Sequence, residues 1–497
     1  MHTTLKPPFV LALDVGTSST RALLCDASGA AVPNVASQRT YELTISAQGE
    51  VSIHADVLAA VVEETINETL RLAGPYAQQI VAVSLDTFWH SLLGVDANDR
   101  PLTPVITWED TRARDAVYQL RAQFDEQTIH SRTGVHFHAS YWPAKLRWLS
   151  QNQPELPAQV AQWISFGEYL HRRFLGRSLC SLSMASGTGL LNISTLQWDA
   201  ELVQELGIHP EQLPILDNTC TGIRGLTREY ATVWPTLCNV PWFPAIGDGA
   251  AACIGSGCID ATCWSLTMGT SSAIRVVVEP GSVLPPPGLW LYFIDAKRAV
   301  LGGALSEGGN LLNWLCDSLK LPPLKDAEPL ATSLAPDSHA LTILPFISGE
   351  RSLGWHSEAC LTITGLSRDS SPAAILRAGY EALAYRLLAL HEQLCDALQN
   401  KTHQHKLQAS GGVMLGSSLM KSILADTLGL SIYPSLEHEA SARGTALLAL
   451  EALEVIPDLS HVTPVLLEPT LPDSGRGEVY RRAAERQLRL YQALLGQ

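Results

Sequence analysis

Two stretches of this 497-residue chain alternate apolar and polar positions in the same way. From Phe9 to Leu13 the residues are apolar. Asp14 interrupts the run, Gly16-Thr17-Ser18-Ser19 follows, and the chain returns to Ala22-Leu23-Leu24. Half a chain later, Trp264 to Met268 leads into Gly269-Thr270-Ser271-Ser272 and back to Ile274, Val276, Val277 and Val278. Each pattern predicts a strand, a tight glycine turn and a second strand, a hairpin whose tip presents backbone N–H groups and hydroxyls. Gly, Ser and Thr are common turn residues, so a single copy would be an ordinary hairpin. Repetition in matching strand contexts predicts two homologous halves that clamp one phosphorylated ligand.

Elsewhere the pattern alternates strands with helices, which predicts an α/β chain. A third strand is expected around Val51 and a helix over 56–73. Residues 80–85 form a continuously apolar run, the mark of a strand covered on both faces. That run ends in Asp86-Thr87-Phe88-Trp89-His90, and Val105-Ile106-Thr107 ends in Trp108-Glu109-Asp110-Thr111-Arg112. Ligands of open α/β sheets sit beyond strand ends, so Asp86, Trp89, His90 and Trp108 are candidate substrate residues. Residues 112–245 read as mostly helical with Pro-interrupted insertions. Gly247-Asp248-Gly249 then joins a strand end to a helix start, and a domain boundary follows, giving domains 1–257 and 258–497. In the second, helices are predicted over 310–319, 372–399, 418–428 and 437–452. Residues 454–475 read as loop and 476–495 as a terminal helix.

The two hairpins differ in their charges. The first has Asp14 before its turn and Arg21 after it, where the second has Thr267 and Ile274. A carboxylate at the end of a buried strand needs a partner or a cation, and beside a phosphate loop the expected cation is Mg²⁺ held through water. Asp248 is the candidate catalytic base, because phosphoryl transfer to an alcohol needs a carboxylate to accept the hydroxyl proton and flanking glycines admit substrate. The plainer alternative is a helix-capping Asp. His136 and His138 lack the spacing of a helical metal pair and read as loop groups near substrate. Lys145 and Arg147 read as a solvated helix face.

Composition narrows the classes. A net charge of −15 and a pI of about 5.4 argue against nucleic acid or an anionic membrane as partner. No apolar run reaches the ~18 residues of a membrane span, and residues 1–8 lack a secretory core, so a cytoplasmic protein is expected. The 10 cysteines lack C-x-x-C spacing, which predicts reduced thiols rather than a zinc site.

With these residues placed, the chain resembles the FGGY carbohydrate kinases over roughly residues 9–452. The resemblance rests on Asp14-Val15-Gly16-Thr17-Ser18-Ser19-Thr20-Arg21, Thr107-Trp108-Glu109-Asp110-Thr111-Arg112, Gly247-Asp248-Gly249, Gly269-Thr270-Ser271 and Ser410-Gly411-Gly412, in that order. It implies two ribonuclease H-like domains of the actin-like ATPase fold, flanking a nucleotide cleft that holds ATP and Mg²⁺. By that resemblance Asp248 is the base, and Asp14 and Asp248 face the metal. Asp14, Gly16, Thr17, Ser18, Arg21, Gly269, Thr270, Ser271, Gly303, Gly411 and Gly412 line the nucleotide site. Tyr141 to Leu149 and Ser181 to Gly189 look most like gluconate kinases. Xylulose kinases are the rival through His90, although Phe88-Trp89 replaces their Gln-Met. A gluconate carboxylate would need a cation or N–H cluster, with His90, Arg112, Lys145 and helix N-termini as candidates. The resemblance admits a homodimer, without an interface signature in the sequence. A catalytically silent sugar-binding regulator of the same fold is the reading from another class.

Overall fold

The computed structural model describes residues 5–217, 219, 221–399, 405–462 and 464–496. Both expected hairpins form. Phe9–Val15 pairs antiparallel with Ser19–Cys25, and Cys263–Met268 with Ser272–Val278. Each hairpin lies in the middle of a larger sheet. The first sheet runs, in order, Ile246–Gly247, Ile80–Thr87, Phe9–Val15, Ser19–Cys25 and Ala31–Thr40. The second runs Trp290–Phe293, Ala299–Leu305, Ser272–Val278, Cys263–Met268, Lys406–Ser410 and Ile432–Pro434. Both contain three antiparallel strands followed by two parallel ones. The second adds Trp290–Phe293 at its edge.

The third strand of the first sheet is Ala31–Thr40, not the segment around Val51. Its ten residues are mostly exposed and include Pro33, which only an edge strand tolerates, so neither apolar alternation nor composition marks it. Val51–Ile53 instead joins Thr44–Ile45 and Val105–Ile106 in a small separate sheet. Leu466 and Thr470, in the stretch read as loop, bridge to Ser435 and Ile432 beside the last strand.

The halves meet through two helices, Asp248–Gly255 and Ala440–Ala452. A Cβ on Gly255 would fall 1.7 Å from the Ala440 carbonyl oxygen, and one on Gly444 1.8 Å from that of Ala251. The helices therefore cross backbone to backbone, which only glycine allows. Ala440–Ala452, from the second half, also packs on Phe9–Val15 and Ile80–Thr87 of the first. The region between the sheets builds a second apolar core around Leu120, Trp142, Leu149 and Trp163. Among the described residues no helix is long and apolar enough to cross a membrane.

Candidate active site

The parallel register places Asp14 directly beside Asp86. At the matching position of the second half, Thr267 neighbours Ser410, with their hydroxyls 3.3 Å apart. One half thus presents two carboxylates where the other presents two hydroxyls. Asp86 is fully buried, and neither of its oxygens has a hydrogen-bond partner. It was expected at the substrate wall; the register puts it at the strand-end acid pair. Burial, reinforced by Asp14 and Asp248, pushes its carboxyl well above the ordinary range. Burial also raises Asp14, opposed by its contact with Asp86 and by Arg21, whose Nη1 lies 3.4 Å away. Two adjacent carboxyls, one of them with no partner on either oxygen, share a proton or take a cation, and their all-oxygen donor set fits Mg²⁺.

In both turn tips the glycine N–H is held by a carbonyl of its own turn, and the second turn is one residue shorter. The Gly16 N–H donates to the Ser19 carbonyl at 3.0 Å, and the Gly269 N–H to that of Ser271 at 3.0 Å. A Cβ on Gly269 or Gly412 would meet nothing within 4 Å, so both face open space. Gly411 has φ +95° and would bring a Cβ 2.5 Å from the Met268 carbonyl oxygen; only glycine fits there. Gly303 differs from its expected place. It is buried in the second sheet against Leu390 and Leu289, so helix packing rather than a ligand accounts for its missing side chain. Gly308 and Gly309 were missed. The helix Gly309–Ser318 starts at the second turn, with the Gly309 N–H donating to the Gly269 carbonyl at 2.7 Å.

Asp248 is the first residue of its helix, and Gly247 occupies the capping position. Its Oδ1 accepts the Gly249 N–H at 2.7 Å. Burial pushes its carboxyl up to about 6, against the Gly249 N–H and the positive charge of Arg275. Arg275 was also missed. In register the counterpart of Arg21, which pairs with Asp14, is Ala273, which pairs with Thr267; Arg275 lies two residues farther along the strand, on the same face. Its Nη1 lies 3.4 Å from Thr267 Oγ1, and its buried Nε has no partner.

The Trp89 indole packs on Gly187, Gly247 and Gly249, and its Nε1 donates to the Ser183 carbonyl at 3.0 Å. His90 sits at φ 68°, an uncommon conformation for a side-chain-bearing residue, with Nδ1 2.5 Å from the Gly187 carbonyl. Burial holds its imidazole neutral. Both anchors come from the helix Leu182–Thr188, within the segment Ser181 to Gly189 that carries the likeness to gluconate kinases. Tyr292 adds a ring centroid 4.7 Å from Trp89, and its hydroxyl lies 2.6 Å from that of Tyr141.

The cation candidates are mostly engaged. Lys145 is buried, not solvated; its ammonium donates to the His90 carbonyl at 2.7 Å, and burial lowers it to about 7. A helix face turned toward a strand end exposes unpaired carbonyls that a lysine can satisfy. Arg112 pairs with Asp110 at 2.7 Å and Glu50 at 3.3 Å. His136 stacks on His130 and packs against Trp355, while His138 bonds Ser140 beside the same indole. Arg351, which sequence did not single out, lies over the Trp108 ring at 5.2 Å.

Two other features lie apart. Asp337, His339 and Glu381 bring possible ligand atoms within 4.8 Å of one another, but Glu381 is bonded to Arg377 and Tyr385, and Asp337 pairs with Arg486. A cavity of 680 Å³ is lined by Leu182, Phe243, Lys297 and Leu448 and includes none of the three cleft aspartates.

Two repeated sheets around a cleft, with carboxylates on one side and hydroxyl turns on the other, define a two-domain phosphotransferase of the actin-like ATPase fold. The FGGY family of carbohydrate kinases matches through its N-terminal domain at residues 9–255 and its C-terminal domain at 264–453. The chain belongs to that family, and it is a carbohydrate kinase. It is 24% identical to the gluconokinase of Bacillus subtilis (strain 168) over 470 residues, 92% of this chain and 90% of that protein. It is 30% identical to a glycerol kinase of Polaromonas sp. (strain JS666 / ATCC BAA-500) over 466 residues, 89% of this chain and 90% of that one. The solved structure of ligand-bound xylulose kinase from Lactobacillus acidophilus superposes with a TM-score of 0.89 at 27% identity, covering 98% of both chains.

Proposed function

We propose that this kinase transfers the γ-phosphoryl group of ATP to a hydroxyl of gluconate, with Asp248 as the base. The observation that carries the reading is Asp248 itself: a carboxyl raised to about 6, flanked by glycines, beside Arg275 and between the carboxylate pair and the aromatic wall. A base tuned near the working pH is ionised yet able to hold the proton that it takes from the acceptor. The turns Gly16-Thr17-Ser18 and Gly269-Thr270-Ser271 bind phosphate oxygens, and Gly411-Gly412 leaves room for the nucleoside. Asp14 and Asp86 would hold Mg²⁺, which would supply charge neutralisation for the polyphosphate. Arg21 and Arg275 bring positive charge to the same cleft from the two hairpins. Trp89 and His90 orient the sugar, and the pinned aromatic wall keeps water from competing as acceptor.

Gluconate is supported by the segments Tyr141 to Leu149 and Ser181 to Gly189 and by the similarity to gluconokinase. A ketopentose such as xylulose is the second reading, favoured by His90 and its neutral imidazole. The test is ADP release coupled to an indicator reaction, run with gluconate, xylulose, ribulose, glycerol and erythritol. Turnover with gluconate at the highest kcat/KM is expected. Preference for another acceptor replaces the gluconate reading, and no turnover with any of them overturns the catalytic one.

A further inference from the structure

Arg351 is a cation that forms no ion pair among the described residues, at the sugar end of the site. Its side chain lies over Trp108, and its buried Nε has no hydrogen-bond partner. The residue is only partly buried, so its outer nitrogens stay open to the cleft while the buried Nε–H is left for a ligand to satisfy. Its backbone is fixed from both sides. Glu350 is tied to the buried Arg386 and accepts the Tyr491 hydroxyl at 2.9 Å. Ser352 donates its N–H to the Ala304 carbonyl at 3.0 Å and accepts the Ala304 N–H at 2.8 Å. A guanidinium on so braced a segment is placed before ligand arrives.

Its surroundings show which end of the substrate it meets. Burial holds down the charged forms of His90 and His138 with Arg351 adding to both, and Arg351 opposes the burial that raises Glu109, so it lies within electrostatic reach of the aromatic wall. Asp248 answers to Arg275 and Asp14 instead. A linear acceptor with its reacting hydroxyl at Asp248 and its body along Trp89 and His90 therefore ends toward Trp108 and Arg351. The other candidate cations are spent: Lys145 on backbone carbonyls, Arg112 on Asp110 and Glu50.

We infer that Arg351 binds the carboxylate of an aldonic acid at the end of the substrate remote from Asp248, and so sets the preference for a sugar acid over a neutral polyol. The inference rests on the gluconate reading above and assigns its missing anchor. The planar guanidinium matches a carboxylate through two parallel hydrogen bonds, a geometry that lysine does not reproduce.

The test compares gluconate with its neutral hexitol, glucitol, as ligands of wild type, R351Q and R351K. A charge-assisted bond of this kind is worth about 10- to 100-fold in affinity. R351Q should raise KM for gluconate by that factor, with a smaller change in kcat, and should reduce by the same factor the preference for gluconate over glucitol as inhibitors against a phosphorylated acceptor. R351K should recover part of the loss, and a thermal melt identifies a variant that fails to fold, leaving R351K as the comparison. An R351Q enzyme that keeps the gluconate preference overturns the inference. If gluconate competes through Arg351 but is not phosphorylated, the anchor stands and gluconate falls as substrate. If gluconate neither reacts nor competes while xylulose or glycerol is phosphorylated, both fall and the kinase assignment remains.

Discussion

The Trp89 indole lies so close to Gly247 that a Cβ built there would stand 1.8 Å from Cε2 of the ring. The same indole covers Gly249, on the other side of Asp248. The glycines that flank the proposed base therefore do more than admit substrate, since they let the aromatic wall close onto the helix start. Gly247→Ala must displace the indole or the strand end. Overpacking of this kind costs about 1–3 kcal/mol. A lower melting temperature together with lower kcat is expected, and an alanine variant indistinguishable from wild type in both would show that the contact does not order the site.

Asp248→Asn should lower kcat by about 10²–10⁴-fold, the contribution of a general base. Nucleotide binding, followed by fluorescence or calorimetry, should persist because the turns and the acid pair are untouched. Near-normal turnover removes Asp248 from the mechanism.

The raised carboxyl of Asp248 also sets a pH profile. The base works ionised, so activity is present above its folded value of about 6 and is lost as pH falls through it. kcat/KM measured from pH 5 to 8 should bend near pH 6 and fall tenfold per unit below it. A flat profile down to pH 5 would contradict the burial-raised carboxyl.

Asp86→Asn removes one member of the adjacent acid pair. In metal-free protein a carboxyl raised by burial holds its proton longer than in the unfolded chain, so it costs stability increasingly as pH rises toward its folded value. The variant should therefore melt higher than wild type at pH 8 but not at pH 4, and should need more Mg²⁺ for half-maximal activity. Equal metal dependence would place Asp86 outside the metal site.

Gly444→Ala tests the hinge. Its methyl would stand 1.8 Å from the Ala251 carbonyl oxygen at the crossing of Asp248–Gly255 with Ala440–Ala452. A loss of about 1–3 kcal/mol in stability is expected by chemical denaturation. Because the pair joins the halves, kcat should fall as well.

Much of this was legible in the chain because the signals are local. The doubled Gly-Thr-Ser-Ser, each copy ending a buried strand, specified paired hairpins, and both sheets are built around them. Gly247-Asp248-Gly249 marked its own strand-to-helix turn. The covered strand Ile80–Thr87 followed from its continuous apolar run. Such features need only a residue and its near neighbours. Tertiary structure decided the rest, where partners lie far apart in sequence or where one residue of turn length shifts the register. Ala31–Thr40 became a strand by pairing at an edge, despite polar composition and Pro33. Lys145 left its expected solvent face because the carbonyls of His90 and Ile106 needed a donor. Arg275 came to Asp248 through the shorter loop and shifted register of the second hairpin, and Asp86 to Asp14 by parallel register. Chain order determined where the phosphate turns and the base stand; long-range packing decided which charges they meet.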